Sequence, residues 1–384
     1  MAVKALYFSW EASYYDTEDM FKNIGIEYKK VSGGVVAGLY GNDVIDLLKS
    51  ELLHECYDFI FSYDYFPQIS EIAVAHNVKY ISWIYDCPHY TLYAQNASNK
   101  CNYFFVFDKS MEEALKSMGA VHIYEMPLGV NNIRLNKLLG TDIESTKYQY
   151  DVSFVGSLYD NNLYDQIVYL PEKFKGYLDG IINAQALVCG NNILEEIITG
   201  SDIKQLEKYI KLPDDENIRI PHKKIYLDMI STKVTSVERI KNLNRLSEIA
   251  DVHVFTASDE KLCLRCKGHG YINYADEMPI VFRKSKININ TTLRTIKTGI
   301  PLRCIDIMGA GGFLISNYQK DLCRYFEAGK DFEIYESQQE LLIKTQYYLE
   351  HEEERMKIAI NGWKKIQRFF GNDLRMREIL QYLW

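Results

Sequence analysis

The stretch that decides the fold of this chain runs from residue 271 to residue 319 and reads YINYADEMPIVFRKSKININTTLRTIKTGIPLRCIDIMGAGGFLISNYQ. It predicts a helix over residues 276–284, a short strand over 287–289, a helix over 302–308 and a second strand over 313–316. Continuously apolar strands separated by amphipathic helices are typical of a parallel sheet that is covered on both faces. The stretch therefore predicts one repeat of a doubly wound α/β domain.

The same alternation continues through the rest of the chain and predicts two such domains in series. The first third predicts strands over residues 3–8, 26–31, 58–62, 78–85, 103–107 and 122–126, with helices over 17–23, 43–56, 68–76 and 111–118. The second part predicts a strand over 151–156, a helical insertion over about 161–212, residues 225–227 leading into a helix over 237–249, and a strand over 252–256. The remaining elements are a strand over 332–335 and helices over 319–326, 338–351, 353–369 and 374–383.

These elements divide into an N-terminal domain of residues 1–138, a polar linker of residues 139–150 and a C-terminal domain of residues 151–370. The last helix, within residues 371–384, is expected to cross back to the N-terminal domain. Ligands of open α/β sheets bind beyond the carboxyl ends of the strands. Two facing Rossmann-like sheets would therefore form a binding cleft between them.

Composition narrows the class of function. The 384 residues are 47% hydrophobic and 25% charged, with a net charge of −8, so neither a nucleic acid nor an anionic membrane is expected as a partner. The sequence contains neither a signal peptide nor an apolar run of about 20 residues, which predicts a cytoplasmic protein without an integral membrane segment. Cys263 and Cys266, followed by His269, could bind zinc, but no second pair of ligands follows at the usual spacing.

The glycines argue against a nicotinamide or flavin enzyme. No Gly-x-Gly-x-x-Gly motif follows the first strand, where Ser9, Trp10 and Glu11 stand instead. The cluster from Gly309 to Gly312 follows a helix and precedes a strand, which is the reverse of the dinucleotide order. The cluster indicates a helix end and a tight turn. The same glycines would also allow a ligand to approach the backbone closely.

Residues 300–317, IPLRCIDIMGAGGFLISN, resemble the donor-binding region of two-domain glycosyltransferases. The longer stretch from residue 271, with DFEIYES at 331–337 and HEEERMKIAINGWKKI at 351–366, resembles the CgeB-type (spore-maturation) glycosyltransferase-like family. FSWEASYYD at 8–16, YDYFP at 63–67 and WIYDCPHY at 83–90 look like the partner domain of related bacterial proteins.

This resemblance implies a GT-B fold, with a nucleotide-sugar donor in the C-terminal domain, the acceptor mostly on the N-terminal domain and no metal cofactor. The absence of a compact Asp-x-Asp motif agrees with metal independence. UDP is favoured as the nucleotide by analogy with the fold. The acceptor stays open between a polysaccharide, a protein and a small molecule. Two alternatives also remain: a non-catalytic sugar- or nucleotide-binding protein of the same fold, and a sugar-nucleotide epimerase.

A metal-free transferase must stabilise the leaving diphosphate with cationic side chains and amide dipoles. Arg303 is the first candidate, because it lies beside Pro301 in the first turn of a predicted helix. The other cationic candidates are Arg294, Lys297 and Arg239.

Asp306 is expected to accept hydrogen bonds from the ribose hydroxyls. In the retaining branch of these enzymes, two glutamates separated by seven residues contact the sugar and the ribose. Asp306 stands at the second position and Thr298 at the first, which leaves the stereochemical outcome open. Further donor-side candidates are Gly299, Asn290, Tyr271 and Tyr274.

The general base that accepts the acceptor's proton is expected in the N-terminal domain, at the ends of its strands. Asp86 and His89 follow the fourth predicted strand and are the first candidates, and Glu11, which follows the first strand, is the second. On the acceptor side, the candidates are Trp10, Asp64 and Tyr65.

Overall fold

The computed structural model describes residues 3–11, 13–32, 42–212 and 217–384. The chain separates into two compact units. The first contains the residues up to Asn131, residues 217–220 and Phe370–Trp384, and the second contains residues 132–212 and Pro221–Phe369. Each unit is built on one parallel sheet.

The sheet of the first unit has six strands in the order β2-β1-β3-β4-β5-β6. Every pairing is parallel, as between β1 and β2, where Lys4 lies opposite Glu27. β3 is buried along its whole length, which explains its continuous apolar sequence. The strands are β1 (Lys4–Ser9), β2 (Glu27–Ser32), β3 (Phe59–Tyr63), β4 (Lys79–Trp83), β5 (Asn102–Val106) and β6 (His122–Glu125), and the helices are α1 (Tyr14–Ile24), α2 (Asn42–His54), α3 (Pro67–Ala75) and α4 (Lys109–Ser117), with short 3₁₀ turns at Tyr90–Tyr93 and Gln95–Ser98.

The second unit also contains a parallel six-stranded sheet. Its helices are α5 (Asn132–Leu139), α6 (Glu172–Gln185), α7 (Leu194–Ile197), α8 (Gly200–Leu206), α9 (His222–Leu246), α10 (Met278–Lys284), α11 (Leu302–Gly309), α12 (Lys320–Tyr325), α13 (Gln338–Glu350) and α14 (Glu352–Phe369). Its strands are β7 (Tyr150–Val155), β8 (Val252–Phe255), β9 (Lys267–Gly268), β10 (Ser285–Asn290), β11 (Leu314–Asn317) and β12 (Glu333–Tyr335). They lie in the order β12-β11-β10-β7-β8-β9, which confirms the prediction of two doubly wound parallel sheets.

The long helix α9 corrects the sequence prediction for this region. The helix predicted over 237–249 begins instead at His222, directly after Pro221, and takes in residues 225–227. Tyr226 and Ile230, in its first half, pack into a separate core formed by the insertion, whereas Leu243 and Leu246 pack against the sheet. One continuous helix thus serves two cores, and its apolar face changes partner along its length.

The C-terminal helix α15 (Asn372–Leu380) packs against α1 in the first unit. The return is fixed by two backbone hydrogen bonds, from Val130 N to Phe370 O (2.9 Å) and from Asn372 N to Val130 O (3.0 Å). The predicted crossing back is therefore confirmed. Residues 132–150, which the sequence places in the first domain and the linker, fall in the second unit, where Gln149 N donates to Lys284 O (2.8 Å).

The glycine cluster forms a helix end and a turn, as the sequence predicts. α11 ends at Gly309, and Gly311 has a φ of 78°, in the left-handed region that favours glycine. A Cβ on Gly312 would lie 2.7 Å from the carbonyl oxygen of Phe282, so the close approach that requires glycine here is to the protein itself.

In the four described ranges, each helix is either too short or too polar to cross the hydrocarbon core of a bilayer.

Candidate functional site

Arg239 lies at the carboxyl edge of the second sheet, where β7 and β10 end. Its Nη1 donates to Ser157 O (2.6 Å), and its Nε and Nη2 donate to Thr291 O (3.0 and 2.6 Å). These acceptors are backbone carbonyls, so they fix the guanidinium without neutralising its charge. Burial lowers the pKa of Arg239, and the nearby charge of Arg303 acts in the same direction. Two cationic groups therefore lie within electrostatic reach of each other at this edge.

Asp306 faces the same region from α11. The residue is only 6% exposed, and its Oδ1 accepts a hydrogen bond from the hydroxyl of Tyr274 (3.2 Å). Arg303, one turn earlier on the helix, lies 3.9 Å from Oδ2 and contacts the sulfur of Met278. The structure thus brings together three predicted donor-side residues, Arg303, Asp306 and Tyr274.

Arg294 is held in the protein interior by a carboxylate that the sequence analysis did not identify. Its Nε lies 2.9 Å from Oε2 of Glu238, and the side chains are only 8% and 3% exposed. Its backbone N–H donates to the hydroxyl of Thr235 (3.0 Å). Burial raises the pKa of Glu238, and Arg294 opposes this shift. Arg294 is therefore placed to anchor the loop after β10 rather than to present its charge at the surface.

The other predicted donor residues have different surroundings. Asn290 is 3% exposed and donates to the hydroxyls of Thr292 (3.1 Å) and Ser316 (2.9 Å), so both of its N–H groups serve the protein interior. Lys297 forms a salt bridge with Glu195 (2.9 Å). The remaining three lie in loops: Thr298 O accepts from Asp321 N (2.9 Å), Gly299 precedes α11, and Tyr271 is 74% exposed.

Asp64 shapes the carboxyl edge of the first sheet. It has a φ of 57°, which is costly for a residue other than glycine, and it is 2% exposed. Its Oδ1 accepts from the backbone N–H groups of Tyr85 (2.8 Å) and Asp86 (3.1 Å). The buried carboxylate of Asp64, on a strained backbone, thus holds the segment directly after β4.

Asp86 is exposed, in contrast to Asp64. Desolvation by the surrounding protein atoms and then repulsion by Asp64 raise its pKa to about 6, although His89 opposes the shift. A carboxylate with this pKa is a stronger base than an ordinary aspartate and is still mostly ionised at neutral pH. Among the predicted catalytic residues, Asp86 best combines access with basicity.

His89 is fixed by the protein around it. Its Nε2 accepts from Tyr65 N (3.1 Å) and lies 2.7 Å from the hydroxyl of Thr91, while Nδ1 lies 4.0 Å from Oδ1 of Asp64. Because Nε2 accepts, the neutral ring carries its proton on Nδ1, on the side of Asp64. This arrangement suits a residue that orients the carboxylate of Asp64, which in turn holds the backbone of Asp86.

Glu11, Trp10 and Tyr65 are also engaged within the first unit. Glu11 accepts from the hydroxyls of Tyr7 and Thr17, and burial raises its pKa. Trp10 Nε1 donates to a backbone carbonyl (2.8 Å). Tyr65 is fully buried, so the prediction that it contacts the acceptor directly does not fit its position.

The comparisons with known proteins address both units. Residues 234–381 match the model of a family described as glycosyl transferase-like, and no curated protein matches the chain. Alr3699/HepE of Anabaena, solved with UDP-glucose, superposes with a TM-score of 0.53 at 10% identity, covering 99% of each chain. The sucrose-phosphate synthase tll1590 of Thermosynechococcus elongatus gives 0.57 at 8% identity, also covering 99% of each chain. A glycosyltransferase of Rickettsia africae gives 0.54 at 12% identity, covering 100% of this chain and 98% of the other.

The C-terminal segment is thus similar to the glycosyl transferase-like family, and the chain has the GT-B fold. The predicted family resemblance and fold are confirmed at this level. The narrower grouping with CgeB-type proteins stays a prediction.

The cysteine and histidine residues considered for zinc contact other residues of the second unit. Cys263 is buried in the core, and Cys266 Sγ lies 3.6 Å from Leu243 O. His269 Nε2 lies 2.8 Å from Nδ1 of His253. Within the part of the chain that the structure describes, no group of three or more His, Cys, Asp and Glu residues is arranged to hold a metal ion.

Two residues that contact predicted donor-side residues were missed by sequence reasoning. Arg134 lies over the ring of Tyr274, with its guanidinium carbon 5.7 Å from the centroid, and donates to Ala275 O. It is 140 residues from Tyr274, and no sequence signal links them. The carbonyl oxygen of Ser157 accepts the hydrogen bond from Arg239. Ser157 lies just after β7, and its position after a predicted strand could have drawn attention to it.

Proposed function

We propose that this protein is a glycosyltransferase that moves a sugar from a nucleoside diphosphate sugar, with UDP favoured, to a hydroxyl acceptor without a metal cofactor. The second unit binds the donor, and the first unit supplies the acceptor side and the base. The observation that carries this proposal is the pair Arg239 and Arg303 at the carboxyl edge of the second sheet, with Asp306 beside them.

Each group in this set has a defined task in sugar transfer. The leaving diphosphate gains negative charge in the transition state, and fixed guanidinium groups stabilise it without reorganising. Arg239 is fixed by two carbonyls, and Arg303 lies in the first turn of α11, whose free amides also favour an anion. Asp306, held by Tyr274, accepts from the ribose hydroxyls.

On the acceptor side, Asp86 takes the proton from the attacking hydroxyl. Its raised pKa makes it a better base, and Asp64 fixes its backbone through a hydrogen bond of 3.1 Å. His89 acts as a positioning residue. The glycosyl transferase-like match and the neighbour solved with UDP-glucose support the proposal.

The first test is a thermal-shift screen of the purified protein against UDP, GDP, CDP, ADP and TDP and their sugar conjugates, without added metal. A ligand at about 100 times its Kd stabilises the folded state by about 2.7 kcal/mol. We expect one nucleotide series to raise the Tm, and Arg239→Ala and Arg303→Ala to remove most of the shift. Arg245→Ala is the matched control, because Arg245 lies on α9 in an exposed pair with Glu248.

The second test concerns the ribose. Asp306→Asn should weaken UDP binding about tenfold or more, because hydrogen bonds to a charged acceptor contribute about 1.5–3 kcal/mol. It should leave the binding of 2′,3′-dideoxy-UDP nearly unchanged, since that ligand lacks both hydroxyls. An equal loss for both ligands would remove the ribose role from Asp306.

Turnover separates the proposed function from its alternatives. Release of nucleotide that depends on a hydroxyl acceptor supports transfer. Tight nucleotide binding without turnover favours a binding protein, and isomerisation of the donor without transfer favours an epimerase. If no nucleotide raises the Tm, the donor site itself is wrong.

A further inference from the structure

The helical insertion and the loop after β10 line an open cavity of about 230 Å³ in the second unit. Nothing in the general architecture of two doubly wound sheets requires this cavity, because one of its walls belongs to the insertion between β7 and α9. The wall from the insertion includes Asn191 and Glu195, the opposite wall includes Thr292, Arg294 and Lys297, and Tyr318 lies at the end.

The wall from the insertion is a rigid turn. Gln185, which is fully buried, donates to Asn191 O (2.9 Å) and accepts from Ile193 N (2.7 Å). Gly190 has a φ of 76° and lies against the ring of Tyr318, where an added Cβ would be 3.3 Å from the ring. The turn is thus held at both ends, so the backbone that carries Asn191 is fixed in place.

The opposite wall is fastened as well. Thr292 N donates to Oδ1 of Asn317 (2.8 Å), and Gln319 donates to Ile296 O (3.3 Å). The two walls are joined by the salt bridge between Lys297 and Glu195 (2.9 Å). A pocket whose polar groups are fixed before binding pays little ordering cost when a ligand enters.

The chemistry of the lining fits a small polyhydroxylated ring. Amide groups, the hydroxyls of Thr292 and Tyr318, the ammonium of Lys297 and the carboxylate of Glu195 provide both donors and acceptors beside the guanidinium of Arg294. The ring of Tyr318 provides an apolar face. The volume is far above the roughly 10–15 Å³ that a single water molecule needs, so a ring of this kind can be accommodated.

We infer that this cavity binds the sugar of the donor and that the insertion, through Asn191 and Glu195, selects which sugar is accepted. The inference rests on the proposed function. It is supported by chain continuity, because the wall ending at Lys297 runs directly into Thr298, Gly299 and α11, which carries Arg303 and Asp306. Glu195 accepts hydrogen bonds from sugar hydroxyls while Lys297 holds it in place, and Asn191 adds a donor and an acceptor.

The test compares calorimetric Kd values for UDP with those for UDP-glucose, UDP-galactose and UDP-N-acetylglucosamine. For wild type, we expect at least one of these conjugates to bind more tightly than UDP. Glu195→Gln and Asn191→Ala should each reduce this advantage about tenfold while leaving the Kd for UDP unchanged. Glu196→Gln is the matched control, since Glu196 is the adjacent exposed carboxylate and does not line the cavity.

Each outcome decides between the two proposals. If wild type binds UDP but Glu195→Gln and Asn191→Ala both keep the full advantage of the sugar conjugate, the cavity does not read the sugar, although the donor site stands. If Glu195→Gln weakens UDP and its conjugates equally, Glu195 acts on the nucleotide and the inference is overturned. If wild type binds neither UDP nor any conjugate, the proposed UDP-sugar donor fails, and the inference fails with it.

Discussion

Replacing Arg294 by methionine separates the two roles that this residue could have. The sequence predicts that Arg294 binds the donor diphosphate, whereas the structure pairs it with Glu238 at 2.9 Å, with both side chains more than nine-tenths buried. Methionine keeps much of the volume and removes the charge. Glu238 would then be left as a buried carboxylate without its cation.

The size of the effect follows from this burial. Removing one partner of a buried ion pair costs about 3–5 kcal/mol, mostly because the remaining charge is uncompensated. For a unit of roughly 200 residues, each kcal/mol lowers the Tm by about 2–4 °C, so we expect a decrease of about 6–20 °C. Replacing both partners, with Arg294→Met and Glu238→Leu, should recover most of this loss.

Thermal unfolding followed by calorimetry measures these differences. Arg245→Met is the control, because its pair with Glu248 is exposed and should contribute less than about 1 kcal/mol. The reasoning is refuted if Arg294→Met keeps the wild-type Tm and loses nucleotide binding. Arg294 would then belong to the donor site, as the sequence predicts.

Three further predictions follow from the described contacts. Asp86→Asn should lower kcat by a factor of about 10²–10⁴ because it removes the base. The wild-type rate should decrease as the pH drops below about 6, because Asp86 becomes protonated. Steady-state kinetics over about pH 5–8 tests both expectations. Burial and then the charge of His253 lower the pKa of His269, so the unfolded chain binds more protons than the folded chain as the pH falls through about 6.5. The free energy of unfolding, measured with denaturant, should therefore decrease between about pH 7.5 and pH 5.5. The decrease should be smaller in His269→Asn. Gly312→Ala should destabilise by about 1–3 kcal/mol because its Cβ meets a backbone oxygen at 2.7 Å, whereas Gly180→Ala in the open should not; equal Tm values for the two would contradict this.

The sequence by itself determined the repeating layers of the fold. A strand such as β3 is largely apolar because both faces of its sheet are buried, and that requirement is visible in the residues alone. The helix start at Leu302, after Pro301, and the turn at Gly311 were likewise predictable, because they depend on local backbone preferences. The sequence also placed Asp306 and Tyr274 in the candidate donor region.

Only the tertiary structure decided which charged residues remain available to a ligand. Arg239 and Arg294 look alike in sequence, yet the guanidinium of Arg239 is held by backbone carbonyls, whereas that of Arg294 forms a buried salt bridge with Glu238. The partners of both residues lie more than 50 positions away, so local pattern carries no information about them. The cavity beside Glu195 has the same origin: its walls come from segments about 100 residues apart, and only long-range packing brings them together.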